Sequence, residues 1–93
     1  MTARYNVVFS PLAQRKFDDF IHSNRKIGEQ LAKAIERLAL NPELGEFLKG
    51  EWKSYRKYRT GDYRIIYRVE HSRLAIFIIT IGDRKDVYRV IPT

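Results

Sequence analysis

The chain has 93 residues, 44% apolar and 31% charged, with a net charge of +7 and a pI near 9.9; that is one domain, residues 1–93, with little core to spare. It has no cysteine and only two histidines, His22 and His71, far apart in sequence, so no disulfide framework, thiolate site or histidine-based metal site is available, and neither metal nor cofactor is expected. No apolar run approaches the ~20 residues that span a bilayer, and Met1-Thr2-Ala3-Arg4-Tyr5 lacks the apolar segment of a secretion signal, so a cytoplasmic location without membrane association is expected.

Arg4 to Phe9 is rich in β-formers and predicts a first strand. Ser10-Pro11 then supplies a hydroxyl N-cap and a proline at the first helical position. Leu12, Ala13, Phe17, Phe20 and Ile21 fall at helical spacing, and Ser23-Asn24 closes that helix. A second helix carries one apolar stripe of Ile27, Leu31, Ala34, Ile35 and Leu38 and stops near Asn41, because Pro42 disfavours a helical residue before it. The connection is so short that the two form an antiparallel helical hairpin. Residues 41–46 read as a loop, with Phe47 and Leu48 tucked under it.

Lys49 to Arg68 is the most charged stretch, with seven cations against two anions, a net +5. Trp52, Tyr55, Tyr58, Tyr63 and Tyr67 are interleaved with the cations, and Thr60-Gly61-Asp62 is turn chemistry. It therefore reads as a basic, aromatic β-hairpin. Cations hold phosphates and flat rings stack on unpaired bases, which points to RNA.

Leu74 to Ile81 is an almost unbroken apolar run and predicts a strand buried on both faces. Gly82 to Asp86 is a second charged loop, and Val87 to Ile91 a final short strand ended by Pro92. The order β-α-α-β-β-β-β predicts an α+β domain. Its twisted, antiparallel-rich sheet carries the N-terminal strand, with the helical hairpin on one face and the other face partly open. Neighbouring antiparallel strands usually pair, so Arg64, Arg84 and Tyr88 are expected to converge.

Leu48-Lys49-Gly50, the run Tyr55 to Tyr67 with its Arg-x-Gly-Asp-Tyr-Arg turn, and Ile81 to Arg89 with its Gly-x-Arg-x-x-Val-Tyr ending resemble the RelE/ParE superfamily of bacterial and archaeal toxins. The motifs span about half the chain, and the helical hairpin before them matches in length and position. The resemblance implies the toxin component of a toxin–antitoxin system. Its RelE branch is an mRNA interferase, an endoribonuclease that cuts mRNA in the ribosomal A site and inhibits translation. The partners implied are ribosome, mRNA and a cognate RelB-like antitoxin, joined in a toxin–antitoxin hetero-oligomer. The alternatives are a ParE-like toxin that poisons DNA gyrase without nuclease activity, or a ribosome-binding relative with weak or no cleavage.

Metal-independent RNA cleavage uses the 2′-hydroxyl as nucleophile. It needs a base, charge stabilisation on the phosphate oxygens and a proton for the leaving oxygen. A lysine serves as base only if its pKa falls well below ~10.4, as neighbouring cations favour, and Lys57 lies between Arg56 and Arg59. The resemblance also places Lys57 at a catalytic lysine, Arg64 at the phosphate-gripping arginine, Arg84 at an arginine assisting the leaving group, and Tyr88 at a tyrosine orienting the nucleotide. Lys49, Lys53, Arg56 and Arg59 are expected to contact RNA or ribosome backbone nonspecifically. The plainer alternatives are a solvated Lys57, an Arg64 paired with Asp62 or Glu70, and a core Tyr88. Asp83 stands where many relatives carry histidine or lysine, and Tyr55 where they carry another lysine. Three roles stay open for Asp83: a base, a group orienting Arg84, or the mark of a weakened catalyst.

Overall fold

In the computed structural model residues 3–89 are described, the side chains of residues 88 and 89 excepted. The elements run β1 (Asn6–Phe9), α1 (Pro11–Ser23), α2 (Arg25–Leu40), β2 (Glu46–Phe47), β3 (Arg56–Thr60), β4 (Tyr63–Glu70) and β5 (Ala75–Asp83), with short 3₁₀ turns at Pro42–Leu44, Gly50–Trp52, His71–Arg73 and Asp86–Arg89. The sheet order is β1-β5-β4-β3-β2. β1 lies parallel to β5, and the other neighbours are antiparallel. This is the expected α+β domain, and among the described residues no helix is long and apolar enough to cross a membrane.

Capping explains the helical hairpin. The Ser10 hydroxyl accepts the Ala13 N–H at 3.0 Å and donates to the Ile79 carbonyl at 2.7 Å, so the cap of α1 is tied to β5. One residue, Asn24, serves both helices. Its N–H donates to the Phe20 carbonyl, and its side-chain oxygen accepts the Ile27 N–H at 3.3 Å. The helices turn back on each other without a loop, and both stripes face the same side of the sheet.

Ala13, Leu31, Ala34, Ile35 and Leu38 pack on Ile65, Tyr67, Ile76, Ile78 and Ile81 in the main core. Ile21, read as part of the α1 stripe, is 44% exposed because it falls in the last turn, near the end of the helix. Alternation along β4 puts Tyr63, Ile65 and Tyr67 toward the helices and Arg64 and Ile66 on the opposite face. A bulge between Ile66 and Tyr67 shifts the register against β5. On the face away from the helices, Leu48, Ile66 and Val87 form a second, smaller core with Trp52, Tyr55 and Ile79 against it.

Three expectations are corrected. The strand expected at 87–91 is a 3₁₀ turn over Asp86–Arg89, and residues 90 and 91 lie outside the described ones. Asp83 turns the chain there, and Val87 is buried on the sheet instead of extending it. The fourth strand after the helices is instead β2, two residues long and paired with β3. Phe47 is not tucked under the loop but 57% exposed, with the Arg56 guanidinium 3.8 Å above its ring centre; only Leu48 is buried.

Candidate functional site

The hairpin forms where the sequence placed it. Gly61 has φ +60°, and Asp62 does not share the positive sign. A glycine at the first of two turn residues is the type II′ pattern, whose twist suits a two-residue connection. Closing the hairpin at Gly61-Asp62 sets Arg59 opposite Arg64 and Lys57 opposite Ile66. Since Ile66 points away from the helices, so do Lys57, Arg59 and Arg64. On the outer side of β3, Glu46 is the cross-strand partner of Lys57. Lys57, Arg59, Arg64 and Glu46 line one concavity, with Leu44 and Tyr58 at its wall.

A second concavity adjoins the first. Arg59 and Arg64 line it too, joined by Arg84 and Lys85 from the turn after β5 and by Asp62 and Asp83. Arg64 and Arg84 thus converge as expected, but Arg84 does not share the concavity that holds Lys57. Tyr88 has its backbone in the last 3₁₀ turn, and its side chain lies outside the described residues.

Asp83 has a definite task. Its Oδ1 accepts the N–H groups of Asp86 at 2.9 Å and Lys85 at 3.0 Å. Those bonds, that of Asp86 foremost, and nearby Lys16 and Lys85 hold its carboxyl below the usual range against the opposing effect of burial. It is a turn cap that fixes the backbone carrying Arg84 and Lys85.

The basic residues divide. Arg64 is not paired with Glu70, which Arg68 holds at 2.8 Å and Arg73 at 3.5 Å. Among the described residues no carboxylate forms an ion pair with Lys57, Arg59, Arg64 or Arg84. Arg56 is a brace, donating to the Gly45 carbonyl at 2.8 Å and the Glu43 carbonyl at 3.4 Å. Lys49 and Lys53 are exposed on either side of the Gly50–Trp52 turn and line neither concavity.

The aromatics are a correction to the picture of rings displayed for bases. Tyr67 is fully buried, Tyr63 packs edge-on against Phe20 at 5.1 Å, and Tyr58 rests on the main core. Trp52 and Tyr55 tilt together at 6.1 Å over the second core. What remains on the surface is a cationic grip.

Two residues of the site were not singled out from the sequence. Glu46 lay in an assigned loop, and a two-residue strand leaves no periodicity to find. Lys85 stood beside Arg84 in the recognised charged loop, and only the capped turn shows that both reach the same concavity.

Comparison with known proteins bears on this geometry. The profile of the family described as ParE toxin of type II toxin–antitoxin system, parDE, matches residues 7–88. No protein with a curated description matches significantly. The toxin–antitoxin complex RelBE2 from Mycobacterium tuberculosis is similar at a TM-score of 0.78 and 23% identity, covering 92% of this chain and 98% of the other. The YoeB dimer from Staphylococcus aureus is similar at 0.70 and 26%, covering 84% and 94%. The isolated E. coli RelE toxin is similar at 0.70 and 24%, covering 91% and 92%.

Proposed function

The chain belongs to the ParE toxin family of type II toxin–antitoxin systems, and we propose, from the geometry of its cationic site, that it is an endoribonuclease that cleaves mRNA at the ribosomal A site and so inhibits translation. One observation carries the reading: Lys57, Arg59 and Arg64 line a single concavity with Glu46, and none of the three cations is spent on an ion pair among the described residues. A gyrase poison has no use for that set, whereas phosphodiester cleavage needs a base, a phosphate grip and an acid, the parts that Glu46, Arg64 and Lys57 offer.

Glu46 is the cross-strand partner of Lys57, which supports Glu46 as the base in place of the Lys57 or Asp83 of the sequence reading. Side chains directly opposite in an antiparallel pair stand about 5 Å apart. In the proposed step the Glu46 carboxylate takes the 2′-hydroxyl proton and the 2′-oxygen attacks phosphorus. The Arg64 fork holds the two non-bridging oxygens as their charge grows, and the Lys57 ammonium gives its proton to the departing 5′-oxygen. The products are a 2′,3′-cyclic phosphate and a 5′-hydroxyl. Lys57 then acts as acid and not as base, and no metal is needed for the step. Arg84 and Tyr88 stay in the proposed site as groups that bind and orient the RNA.

The similar structure from M. tuberculosis is a toxin–antitoxin complex, which supports a cognate antitoxin as partner. Ribosome and mRNA are its proposed targets, reached in the cytoplasm. The test is reverse-transcription mapping of a translated message with wild type and Arg64→Ala side by side. New 5′ ends are expected with wild type alone. Their absence with wild type, or equal growth arrest by both proteins, would refute the reading. The match to a ParE toxin family keeps the ParE-like gyrase poison as the second reading. It would show as lost supercoiling activity with the message intact.

A further inference from the structure

Cleaving one phosphodiester occupies one arginine fork, one base and one acid, and the first concavity holds all three in Arg64, Glu46 and Lys57. Arg59, Arg84 and Lys85 are then in excess of what the scissile phosphate requires. They gather around the neighbouring concavity, and Arg59 and Arg64 form the wall common to both. Arg59 and Arg64 are also direct cross-strand partners, and like charges so placed repel. No carboxylate among the described residues pairs with either. Of the two acids in the second concavity, Asp83 spends its Oδ1 on the Lys85 and Asp86 N–H groups, so it fixes the turn.

We propose that this second concavity is a subsite for the backbone phosphate adjacent to the scissile one, held by Arg59, Arg84 and Lys85. It rests on the RNA-cleavage reading and deepens it. A strand of RNA carries one phosphate per nucleotide, so a strand gripped at Arg64 must lay its next phosphate beside that residue. The second concavity is the adjacent place where Arg59, Arg84 and Lys85 gather, with Asp62 and Asp83 beside them. Arg84 becomes a residue that holds the flanking nucleotide in register, and the leaving oxygen takes its proton from Lys57. Lys85, absent from the sequence-level site, becomes a binding residue.

The test is titration by NMR of a dinucleoside monophosphate whose 2′-hydroxyls are methylated, so that it binds without being cut. It is compared with the same probe carrying one more phosphate at its 5′ or its 3′ end. Wild type is expected to bind one of the two phosphorylated probes roughly tenfold more tightly than the parent. The log–log salt slope should steepen by about 0.7. Lys85→Ala and Arg84→Ala are expected to lose that increment. Equal wild-type affinity for parent and phosphorylated probes would overturn the subsite while leaving the cleavage reading standing, as would variants that keep the increment. Failure of wild type to bind any of the probes would overturn both.

Discussion

Replacing Tyr67 with phenylalanine removes a single oxygen from beneath the candidate site. That hydroxyl accepts the Gly45 N–H at 2.8 Å and donates to the Pro42 carbonyl at 2.6 Å, in a side chain with no exposed surface. The phenyl ring keeps the packing, so the loss is confined to two backbone groups left buried without partners. Each such group costs about 1–3 kcal/mol, so Tyr67→Phe should destabilise by about 3 kcal/mol. In a domain of this size that lowers Tm by roughly 10–20 °C. Urea unfolding should show a lower midpoint at unchanged slope, because the same surface is exposed. A loss below about 0.5 kcal/mol would refute the reasoning.

The same contact reaches the site. Gly45 has no room for a side chain, since an added Cβ would collide with the Tyr67 hydroxyl and lie 2.8 Å from the Lys57 carbonyl. The tyrosine thus clamps the 42–45 loop that delivers Glu46 opposite Lys57, and cleavage should fall with stability. It also sets an alkaline limit. Burial, only partly offset by the Gly45 N–H and nearby Arg56, raises the phenol pKa above its ordinary value. The unfolded tyrosine loses its proton near pH ~10, while the folded one keeps it. The folded state then binds more protons, so its stability falls as pH rises past that point. Tyr67→Phe should flatten that decline.

Glu46→Gln should lower cleavage by roughly 10²–10⁴-fold with the urea midpoint unchanged, and undiminished cleavage would remove Glu46 as base. Thr80→Val should raise stability by about 1 kcal/mol, because the buried Thr80 hydroxyl has no hydrogen-bond partner among the described residues and valine keeps its shape; a lower Tm would contradict this. Asp83→Ala should abolish hydrogen-exchange protection at the Lys85 and Asp86 amides. In wild type the same protection should persist above the ordinary carboxylate range and vanish as pH falls through the depressed pKa of Asp83. Unchanged exchange in the variant would refute the cap.

The helices were legible because Leu31, Ala34, Ile35 and Leu38 repeat at helical spacing and each is buried. The hairpin was legible because Gly61-Asp62 admits little else. The final strand was misread since Val87 to Ile91 has strand composition, whereas a local carboxylate, Asp83, turns the chain and Val87 finds a buried seat on Ile66. The aromatics were misassigned for a different reason. Along β4 the pattern Tyr-Arg-Ile-Ile-Tyr-Arg already separates an aromatic side from a basic one. Composition was read there in place of alternation. Glu46 had no such signal, because its place depends on a pairing of only two residues.

The distribution of acids explains why the cationic patch stays open. Glu36 binds Arg4 at 2.7 Å, Glu29 binds Arg25 at 3.2 Å, and Glu70 serves Arg68 and Arg73. Asp83 is spent on backbone. Such exposed pairs add little stability, typically below ~1 kcal/mol each, so their consequence is mainly where they leave charge uncompensated. Among the described residues every ion pair lies away from the two concavities. Arg59 and Arg64 repel each other across the hairpin. A negatively charged backbone laid over them would relieve that repulsion, so ligand binding should stabilise the fold by an amount that shrinks as salt screens it.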